Sequence, residues 1–308
     1  MIRIGYACIN LSLEASTNST TRLALIGDRE RWLAPCQRNL QAMASILQFN
    51  GEHGLNFRVG SQMVPFASHP SLPHDWEALF ATELRALGAA AREKGVRLSM
   101  HPGQYCIPGS PRSEVVESSL AELRYSARLL QILGEEEGVV VVHMGGQYGD
   151  FEATRQRTIA NLRGEHDILR YLAFEHDDRI WPAHEVLPVC DQLGVPLIVD
   201  NLHYQMLPGK LEWRSLLFEA IARWRGRRPK FHLSSQAPGK RPGAHSDRIA
   251  EDDIRMFSEV VPCREYDLMV EAKDKEQAAL EVQARLREWG CDVLSPHTNP
   301  SPTGTPSA

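Results

Sequence analysis

The feature of this sequence that most restricts its fold is an alternation, repeated eight times, of short apolar runs and longer amphipathic segments. The short runs are rich in Val, Ile and Leu, which is typical of parallel strands that are buried on both faces. The predicted strands are residues 2–7, 56–59, 96–100, 139–143, 172–175, 197–200, 230–233 and 268–271. Between them, apolar residues recur at the spacing of amphipathic helices. The predicted helices are residues 40–49, 76–94, 113–133, 155–169, 183–193, 213–224, 251–259 and 275–289.

Eight strand–helix units of this size predict an α/β fold with one domain, a TIM (β/α)8 barrel, over residues 1–294. An open, doubly wound α/β sheet is the alternative, because it is built from the same units. The last residues, 295–308, are mostly Pro, Ser, Thr and Asn and have no apolar periodicity. This composition predicts a disordered tail.

The composition is that of a globular protein, with 43% hydrophobic and 24% charged residues. The six cysteines form no CxxC pair, which argues against a zinc-cysteine site or a disulfide framework and indicates a reducing compartment. The amino terminus enters a strand directly, and no apolar run approaches the roughly 18 residues needed to cross a membrane. The sequence therefore predicts a cytoplasmic protein with no membrane partner.

The charge of the chain is unevenly distributed. The net charge of −5 is not typical of a protein that binds nucleic acid, yet residues 221–243 carry seven Lys and Arg and no Asp or Glu. A basic run is usually a solvated surface, but one beside candidate metal ligands could hold a phosphate backbone.

Ionisable side chains follow the ends of six predicted strands. They are His101, His143, Glu175, Asp200 with His203, His232 with Lys230, Glu271, and His245 on the loop after the seventh strand. The carboxyl ends of barrel strands meet at one face, where these groups would be costly to bury without cations. Histidines and carboxylates without cysteine suit Zn²⁺ or Mn²⁺. Because the ligands exceed the needs of one ion, we expect two or three divalent ions, bridged by Glu175 and Asp200. We expect structural or surface roles for six other histidines: His53, His74, His166, His176, His184 and His297.

Clustered divalent ions are typical of enzymes that hydrolyse phosphoesters. No Ser-His-Asp elbow, Walker loop or GxGxxG motif is present, so we expect no nucleotide cofactor. A metal-dependent sugar isomerase or epimerase of the same barrel type is the alternative function. A non-catalytic DNA-binding or scaffold protein is a third, although an abandoned site would have no reason to keep these charged side chains.

Several segments resemble the UV damage endonuclease family. They are GYACINL (5–11), FASHP (66–70), SMHPGQY (99–105), VVVVHMGG (139–146), VDNLHY (199–204), KFHLSSQ (230–236), PGAH (242–245) and MVEAKDKE (269–276). The resemblance extends over about residues 1–280 and implies a barrel like those of apurinic endonucleases and xylose isomerases. It also implies metal-dependent incision of damaged double-stranded DNA immediately 5′ to a UV photoproduct, leaving a 3′-hydroxyl and a 5′-phosphate. The substrates implied are cyclobutane dimers, 6-4 photoproducts and abasic sites, cut by a monomer that uses Mn²⁺, with Zn²⁺, Mg²⁺ or Co²⁺ as alternatives.

The resemblance also assigns roles to individual residues. One ion is implied at His101, His143 and Glu175, a second at Glu175, Asp200, His232 and Glu271, and a third at His203 and His245. Gln104 and Tyr105 match residues that probe the duplex opposite an extruded lesion. Tyr6 and Asn10, expected on the loop after the first strand, match residues that contact the flipped nucleotides. His69 is expected near the site, where it would bind metal, phosphate or neither.

Two positions depart from related patterns. Apurinic endonucleases have an Asp ligand two residues before the last histidine, where this chain has Gly243. Lys230 lies two residues from His232, on the same face of the predicted strand, and the family is thought to carboxylate this lysine. An N6-carboxylysine at Lys230 would supply the missing carboxylate, and the alternative is an ordinary lysine paired with a DNA phosphate. The second departure is Tyr204, where many family members have another histidine.

Overall fold

The computed structural model describes residues 1–258 and 265–294, and in them eight parallel strands close a barrel. The strands are β1 (Ile2–Ala7), β2 (Leu55–Val59), β3 (Leu98–Met100), β4 (Val139–His143), β5 (Leu172–Glu175), β6 (Leu197–Asp200), β7 (Lys230–Leu233) and β8 (Tyr266–Val270). β1 pairs with both β2 and β8, with Tyr6 opposite Phe57 and Ile4 opposite Leu268. This closure confirms the TIM barrel and excludes the open sheet.

Ten helices surround the barrel in the described residues. They are α1 (Arg29–His53), α2 (Trp76–Glu93), α3 (Ser113–Leu133), α4 (Phe151–Leu162), α5 (His166–Tyr171), α6 (Ala183–Leu193), α7 (Asn201–Met206), α8 (Trp213–Arg223), α9 (Glu251–Ser258) and α10 (Lys275–Glu288). A two-stranded sheet, Ile9–Asn10 with Ala15–Ser16, follows β1. Among the described helices, none has a stretch long and apolar enough to cross a bilayer.

Three helical segments differ from the predictions, and in two of them the difference lies in the residue that caps the helix. α1 begins at residue 29 instead of 40, because Asp28 accepts a hydrogen bond from the Arg31 N–H. The predicted helix 155–169 is two helices, α4 and α5, separated at 163–165 around Gly164. The short α7 was not predicted, and it begins because the Asp200 side chain accepts from the His203 N–H. Residue 259 of the predicted helix 251–259 and the predicted tail 295–308 lie outside the described residues.

Side chains alternate between the two faces of each strand, so the barrel has an outward-facing and an inward-facing apolar cluster. Side chains that point outward from the barrel, such as Ile4, Phe57 and Leu268, join the helices in the main hydrophobic core. Val141, on the inward face with His143, belongs instead to a small second cluster. That second cluster consists of Val139, Val141, Ala173, Ile198 and Trp224. The upper ends of the same inward faces carry the polar groups described next.

Candidate active site

Glu175, the last residue of β5, lies at the centre of a group of imidazoles. Its Oε2 atom is 3.2 Å from His101 Nε2 and 3.5 Å from His143 Nε2. Its Oε1 atom is 2.8 Å from His232 Nδ1 and 3.4 Å from His203 Nδ1. The strand register creates this convergence, because His143 on β4 lies directly opposite Glu175 on β5. Four of the five predicted histidines therefore meet on one carboxylate.

The Glu175 carboxylate is ionised although it is buried. Burial alone would raise its pKa, but the imidazoles of His232 and His143, with hydrogen bonds from His101 and His232, hold the pKa well below its usual range. At His143 burial is the largest effect and lowers the pKa to about 4. His143 thus offers a neutral ring nitrogen beside an anionic oxygen, and both bind cations in these forms. At His203, Asp200 and Glu175 outweigh the effect of burial and raise the pKa to about 9.

Two further carboxylates lie on the same face. Asp200, at the end of β6, is fully buried and accepts hydrogen bonds from Ser234 Oγ at 2.8 Å and from the His203 N–H at 2.9 Å. Burial, together with repulsion from Glu175 and Glu271, raises the pKa of Asp200. Glu271 follows β8 directly, and its Oε1 is 3.1 Å from His232 Nδ1. The buried carboxylates of Glu175 and Asp200 and the half-buried one of Glu271 repel one another, and this arrangement favours a bound cation.

Arg58 is a member of the site that the sequence did not reveal. It lies on the inward face of β2 and forms an ion pair with Glu271. Burial would raise the pKa of Glu271, but Arg58 and His232 hold the pKa below its usual range. The available signal was the alternation of apolar and polar residues in LNFRV, which places Arg58 on the face opposite Phe57.

The ligand atoms fit divalent cations. One nitrogen or oxygen from each of His101, His143 and Glu175 lies within 4.8 Å of the others, and the same holds for Glu175, Asp200 and His203. Within residues 1–258 and 265–294, the buried atoms His232 Nε2 and His143 Nδ1 have no hydrogen-bond partner. Oxygen and imidazole ligands suit Zn²⁺ or Mn²⁺. The side chains are thus arranged to hold divalent metal at the barrel mouth.

His203 and His245 are the predicted ligands of a third ion. His203 Nδ1 donates to the His176 carbonyl at 2.9 Å, which leaves its Nε2 available. His245 is about one-third exposed, and its Nδ1 is 3.8 Å from Glu271 Oε2. His176, predicted to be structural, is buried behind Asp200 and accepts from the Asp200 N–H at 3.2 Å.

Lys230 lies inside the barrel and has no exposed surface. Its Nζ donates to Ser99 Oγ at 2.8 Å. Burial is the main cause that lowers its pKa to about 7, with further lowering by Arg97 and Arg58 against the opposing effect of Asp267. A lysine in this position cannot reach a DNA phosphate, so the alternative role as an ordinary phosphate contact is contradicted by its burial.

Comparison with known proteins places the chain in a family. A family model described as UV-endonuclease UvdE matches residues 2–295. The chain belongs to this family. A UV DNA damage endonuclease of Clostridium perfringens is 28% identical, and the aligned region covers 93% of this chain and 71% of that protein. A UV-damage endonuclease of Neurospora crassa is 38% identical over 83% of this chain, which spans 42% of the fungal protein. The crystal structure of SacUVDE has a TM-score of 0.89 at 34% identity, covering 94% of this chain and 99% of that one.

Membership of the UvdE family makes the chain an endonuclease and confirms the predicted family and enzyme class. The barrel alone would not decide this, because it is shared with proteins of different chemistry. Endonuclease IV from Thermus thermophilus has a TM-score of 0.58 at 19% identity, and 3-keto-D-glucoside 4-epimerase from E. coli has 0.56 at 12%. At these identities the likeness shows the fold alone, so the family match favours the endonuclease over the sugar isomerase or epimerase.

The loop after β3 carries the two residues expected to probe the duplex of a UvdE substrate. Gln104 and Tyr105 are exposed, Tyr105 to 80%. The His101 side chain at the start of the same loop is only 18% exposed and faces Glu175. Pro102 and Gly103 separate the two ends, so one short loop presents an inward imidazole and an outward aromatic ring.

Of the two residues expected on the loop after the first strand, Asn10 lies directly after β1 but Tyr6 lies within it. Tyr6 belongs to β1 and is fully buried on the outward face of the strand, against α1. Its hydroxyl donates to Asn50 Oδ1 and accepts from Asn10 Nδ2, both at 2.8 Å. Asn10 is also fully buried, and its Oδ1 accepts from the Leu13 N–H. These polar groups are paired inside the protein, and their contact with flipped nucleotides stays a prediction.

Most of the basic run also faces away from the site. Arg223 pairs with Asp191 and Glu219, and Arg228 pairs with Asp267. Both precede the amino end of β7 and therefore lie toward the face opposite the metal ligands. Arg241, after β7, does line the cavity at the barrel mouth. The idea that the whole run holds a phosphate backbone is wrong, because strand β7 divides it between opposite faces.

His69 and Tyr204 have local partners. His69 is half-buried in a turn after β2, and its Nδ1 accepts from the Ser71 N–H at 3.1 Å. Tyr204, on α7, donates to the Leu211 carbonyl at 3.2 Å and packs against Trp213. Neither residue is in the two ligand groups defined above. Tyr204 therefore secures α7, whereas the role of His69 in binding stays a prediction.

Proposed function

We propose that this protein, acting as a monomer, hydrolyses the phosphodiester immediately 5′ to a UV photoproduct in double-stranded DNA. The substrates are cyclobutane dimers, 6-4 photoproducts and abasic sites, and the product ends are a 3′-hydroxyl and a 5′-phosphate. The observation that carries the proposal is the buried Glu175 carboxylate, with imidazole nitrogens of four histidines within 3.5 Å of its oxygen atoms. We expect a buried carboxylate surrounded by imidazoles to bind cations, and family membership indicates that the substrate is DNA.

The ligand residues divide among two or three cations. His101, His143 and Glu175 would hold the first, Glu175, Asp200, His232 and Glu271 the second, and His203 and His245 the third. Divalent ions there, with Mn²⁺ favoured, would lower the pKa of a water molecule and stabilise charge on the phosphate and leaving oxygens. Arg58 keeps Glu271 ionised and in place, and a hydrogen bond from Ser234 Oγ holds the Asp200 carboxylate in position.

Recognition falls to the exposed end of the β3 loop. A photoproduct pairs poorly with its partner bases, so extruding it costs less than extruding normal nucleotides. The Tyr105 ring can then stack in the gap, and the Gln104 amide can hydrogen-bond to the unpaired bases. Because both residues share a loop with His101, insertion at the lesion would fix the position of the adjacent phosphodiester at the metal ligands.

Lys230 carries a second element of the proposal, its carboxylation. A pKa of about 7 means that a large fraction of the amine is neutral at neutral pH and can attack CO₂. The neutral amine forms an Nζ–C bond with CO₂ and releases one proton, which leaves a carbamate anion. Starting from the ammonium form, one further proton is lost first, so a buried cation becomes a carboxylate. Intact-protein mass spectrometry under native conditions should show the labile mass of one CO₂, absent in Lys230→Ala. An unmodified mass in CO₂-saturated buffer would contradict this element.

The function is tested by a nicking assay on a labelled duplex with one cyclobutane dimer. Wild-type protein with Mn²⁺ should cut directly 5′ to the dimer, and Glu175→Gln should abolish cutting. Glu93→Gln, at an exposed site on α2, is the matched control and should cut normally. Equal cutting of undamaged duplex would contradict lesion specificity, and no cutting of any duplex by Mn²⁺-loaded protein would contradict the function.

A further inference from the structure

A hairpin of residues 9–16 follows β1 at the barrel mouth, and two leucines project from its tip. Leu11 is 41% exposed and Leu13 is 40% exposed. The chain enters this β1 hairpin at Cys8, whose N–H donates to the Arg58 carbonyl at 2.8 Å. The Arg58 side chain forms the ion pair with a metal-type ligand described above. The β1 hairpin therefore rises from the face of the barrel that carries the candidate metal site.

One buried carboxylate holds the tip of the β1 hairpin in place. Glu276, in the first turn of α10, is fully buried, and its Oε2 accepts from the Leu11 N–H at 2.8 Å. Its Oε1 accepts from the Ser12 N–H at 2.8 Å and from the Ser12 hydroxyl at 2.9 Å. A buried carboxylate is costly unless donors surround it. The Glu276 side chain is thus committed to fixing a loop that is distant along the chain.

The other N–H groups of the tip are paired as well. The Leu13 N–H donates to Oδ1 of the fully buried Asn10 at 2.9 Å, and the Glu14 N–H donates to the Leu11 carbonyl at 3.2 Å. The N–H groups of residues 11–14 are therefore all engaged within the protein, and the exposed Glu14 carboxylate beside them would repel a phosphate. The surface that the tip offers to a partner is apolar.

The position of the tip indicates which partner it meets. A duplex seated on the metal ligands extends over the surrounding rim of the barrel. The loop after β1 is part of that rim and adjoins the loop after β8, which carries Glu271, because β1 pairs with β8. Single exposed leucines are common on protein surfaces. Two leucines on a tip fixed by the buried side chains of Glu276 and Asn10 are preorganised for contact, so binding does not have to order them.

We infer that Leu11 and Leu13 contact the DNA duplex beside the lesion as an apolar wedge. They would pack against base faces and deoxyribose edges that become unstacked when the photoproduct is extruded. The inference rests on the proposed function and deepens it by naming a contact surface for its DNA substrate. Glu276 is a positioning residue for this contact, because it acts through the backbone of the tip.

Single-turnover nicking of a dimer-containing duplex with Mn²⁺ tests the contact. Leu11→Ala with Leu13→Ala should raise the half-saturating protein concentration by about 10-fold, the loss expected when two leucine contacts are removed. The dependence of that concentration on salt should keep the wild-type slope, because no phosphate contact is lost. Leu79→Ala with Phe218→Ala, exposed apolar side chains on α2 and α8, is the matched control and should behave as wild type.

A double-mutant cycle tests the positioning role of Glu276. Glu276→Gln alone should also raise the half-saturating concentration, but it should add little to the loss in the leucine double variant, since the two changes remove one contact. Additive losses would show that Glu276 acts elsewhere.

An unchanged half-saturating concentration in the leucine double variant would overturn the inference. A reduced salt slope would also overturn it, because that would indicate phosphate contacts. Loss of self-association with unchanged nicking would assign the β1 hairpin to a second copy of the chain instead. Wild-type protein that cuts no duplex would overturn the proposed function.

Discussion

The guanidinium of Arg58 on β2 forms an ion pair across the barrel mouth with Glu271, directly after β8. Glu271 Oε1 is also 3.1 Å from His232 Nδ1, so Arg58 pairs with the carboxylate of a predicted metal ligand. Partners of this kind orient ligands and tune metal affinity.

Replacing Arg58 should therefore weaken metal binding without unfolding the barrel. Arg58→Met should lower Mn²⁺ affinity by about 10- to 100-fold. It should also raise the pKa of Glu271, so the acidic limit of activity should move to higher pH. Arg58→Lys, which keeps the charge, should recover part of both effects. Identical pH profiles for Arg58→Met and wild type would show that the ion pair does not act on Glu271.

The strand positions could be predicted because the strands of a parallel barrel are buried on both faces and read as continuous apolar runs. Their ends coincide in space, which is why His101, His143 and Glu175 could be grouped from sequence. Which face of a strand a side chain takes was harder to predict. Tyr6 and Arg58 lie on opposite faces of neighbouring strands. The alternation of apolar and polar residues in LNFRV places Asn56 and Arg58 on one face, but only the folded barrel shows that this face is the interior.

Contacts between distant loops were beyond the sequence for a different reason. The Asp178 carboxylate fills the space that a side chain on Gly243 would need only once the β5 and β7 loops are folded side by side. The placement of the basic run could not be predicted for the same reason. Arg223 precedes β7 and Arg241 follows it, so the two lie at opposite faces of the barrel. Such pairings depend on barrel register and loop path, which no local pattern encodes.

The stability of metal-free protein should depend on pH through Lys230. Its folded pKa is lowered to about 7, below that of the unfolded chain, so the unfolded state binds more protons between about pH 7 and 10. The free energy of unfolding should therefore rise with pH in that window, by at most roughly 1.4 kcal/mol per pH unit.

Urea denaturation at several pH values in CO₂-free buffer measures this dependence. Lys230→Met should remove most of the rise, whereas Lys210→Met, at an exposed position, should keep it. Equal slopes for Lys230→Met and wild type would mean that the amine is not desolvated.

Tyr6→Phe should affect stability and leave DNA binding unchanged. The Tyr6 hydroxyl bridges Asn50 and Asn10 inside the protein, and its removal takes away the partner of Asn50 Oδ1 and of Asn10 Nδ2. Buried unpaired polar groups cost about 1–3 kcal/mol, so the Tm should fall. The affinity for a dimer-containing duplex, measured by fluorescence anisotropy below the Tm, should stay at the wild-type value. A loss of lesion affinity with an unchanged Tm would instead support a nucleotide contact.

The two ends of the β3 loop should be separable by mutation. His101→Ala removes a ligand of the group shared with His143 and Glu175, so cutting should be lost while lesion binding remains. Gln104→Ala with Tyr105→Ala should leave Mn²⁺ binding intact and weaken lesion binding, because stacking contributes about 1–3 kcal/mol per base. Leu79→Ala, which alters an exposed side chain on α2, is the control for loss of surface apolar area. Anisotropy and nicking assays on the same duplex distinguish the two effects, and a Gln104/Tyr105 double variant that discriminates lesions as well as wild type would refute the probing role.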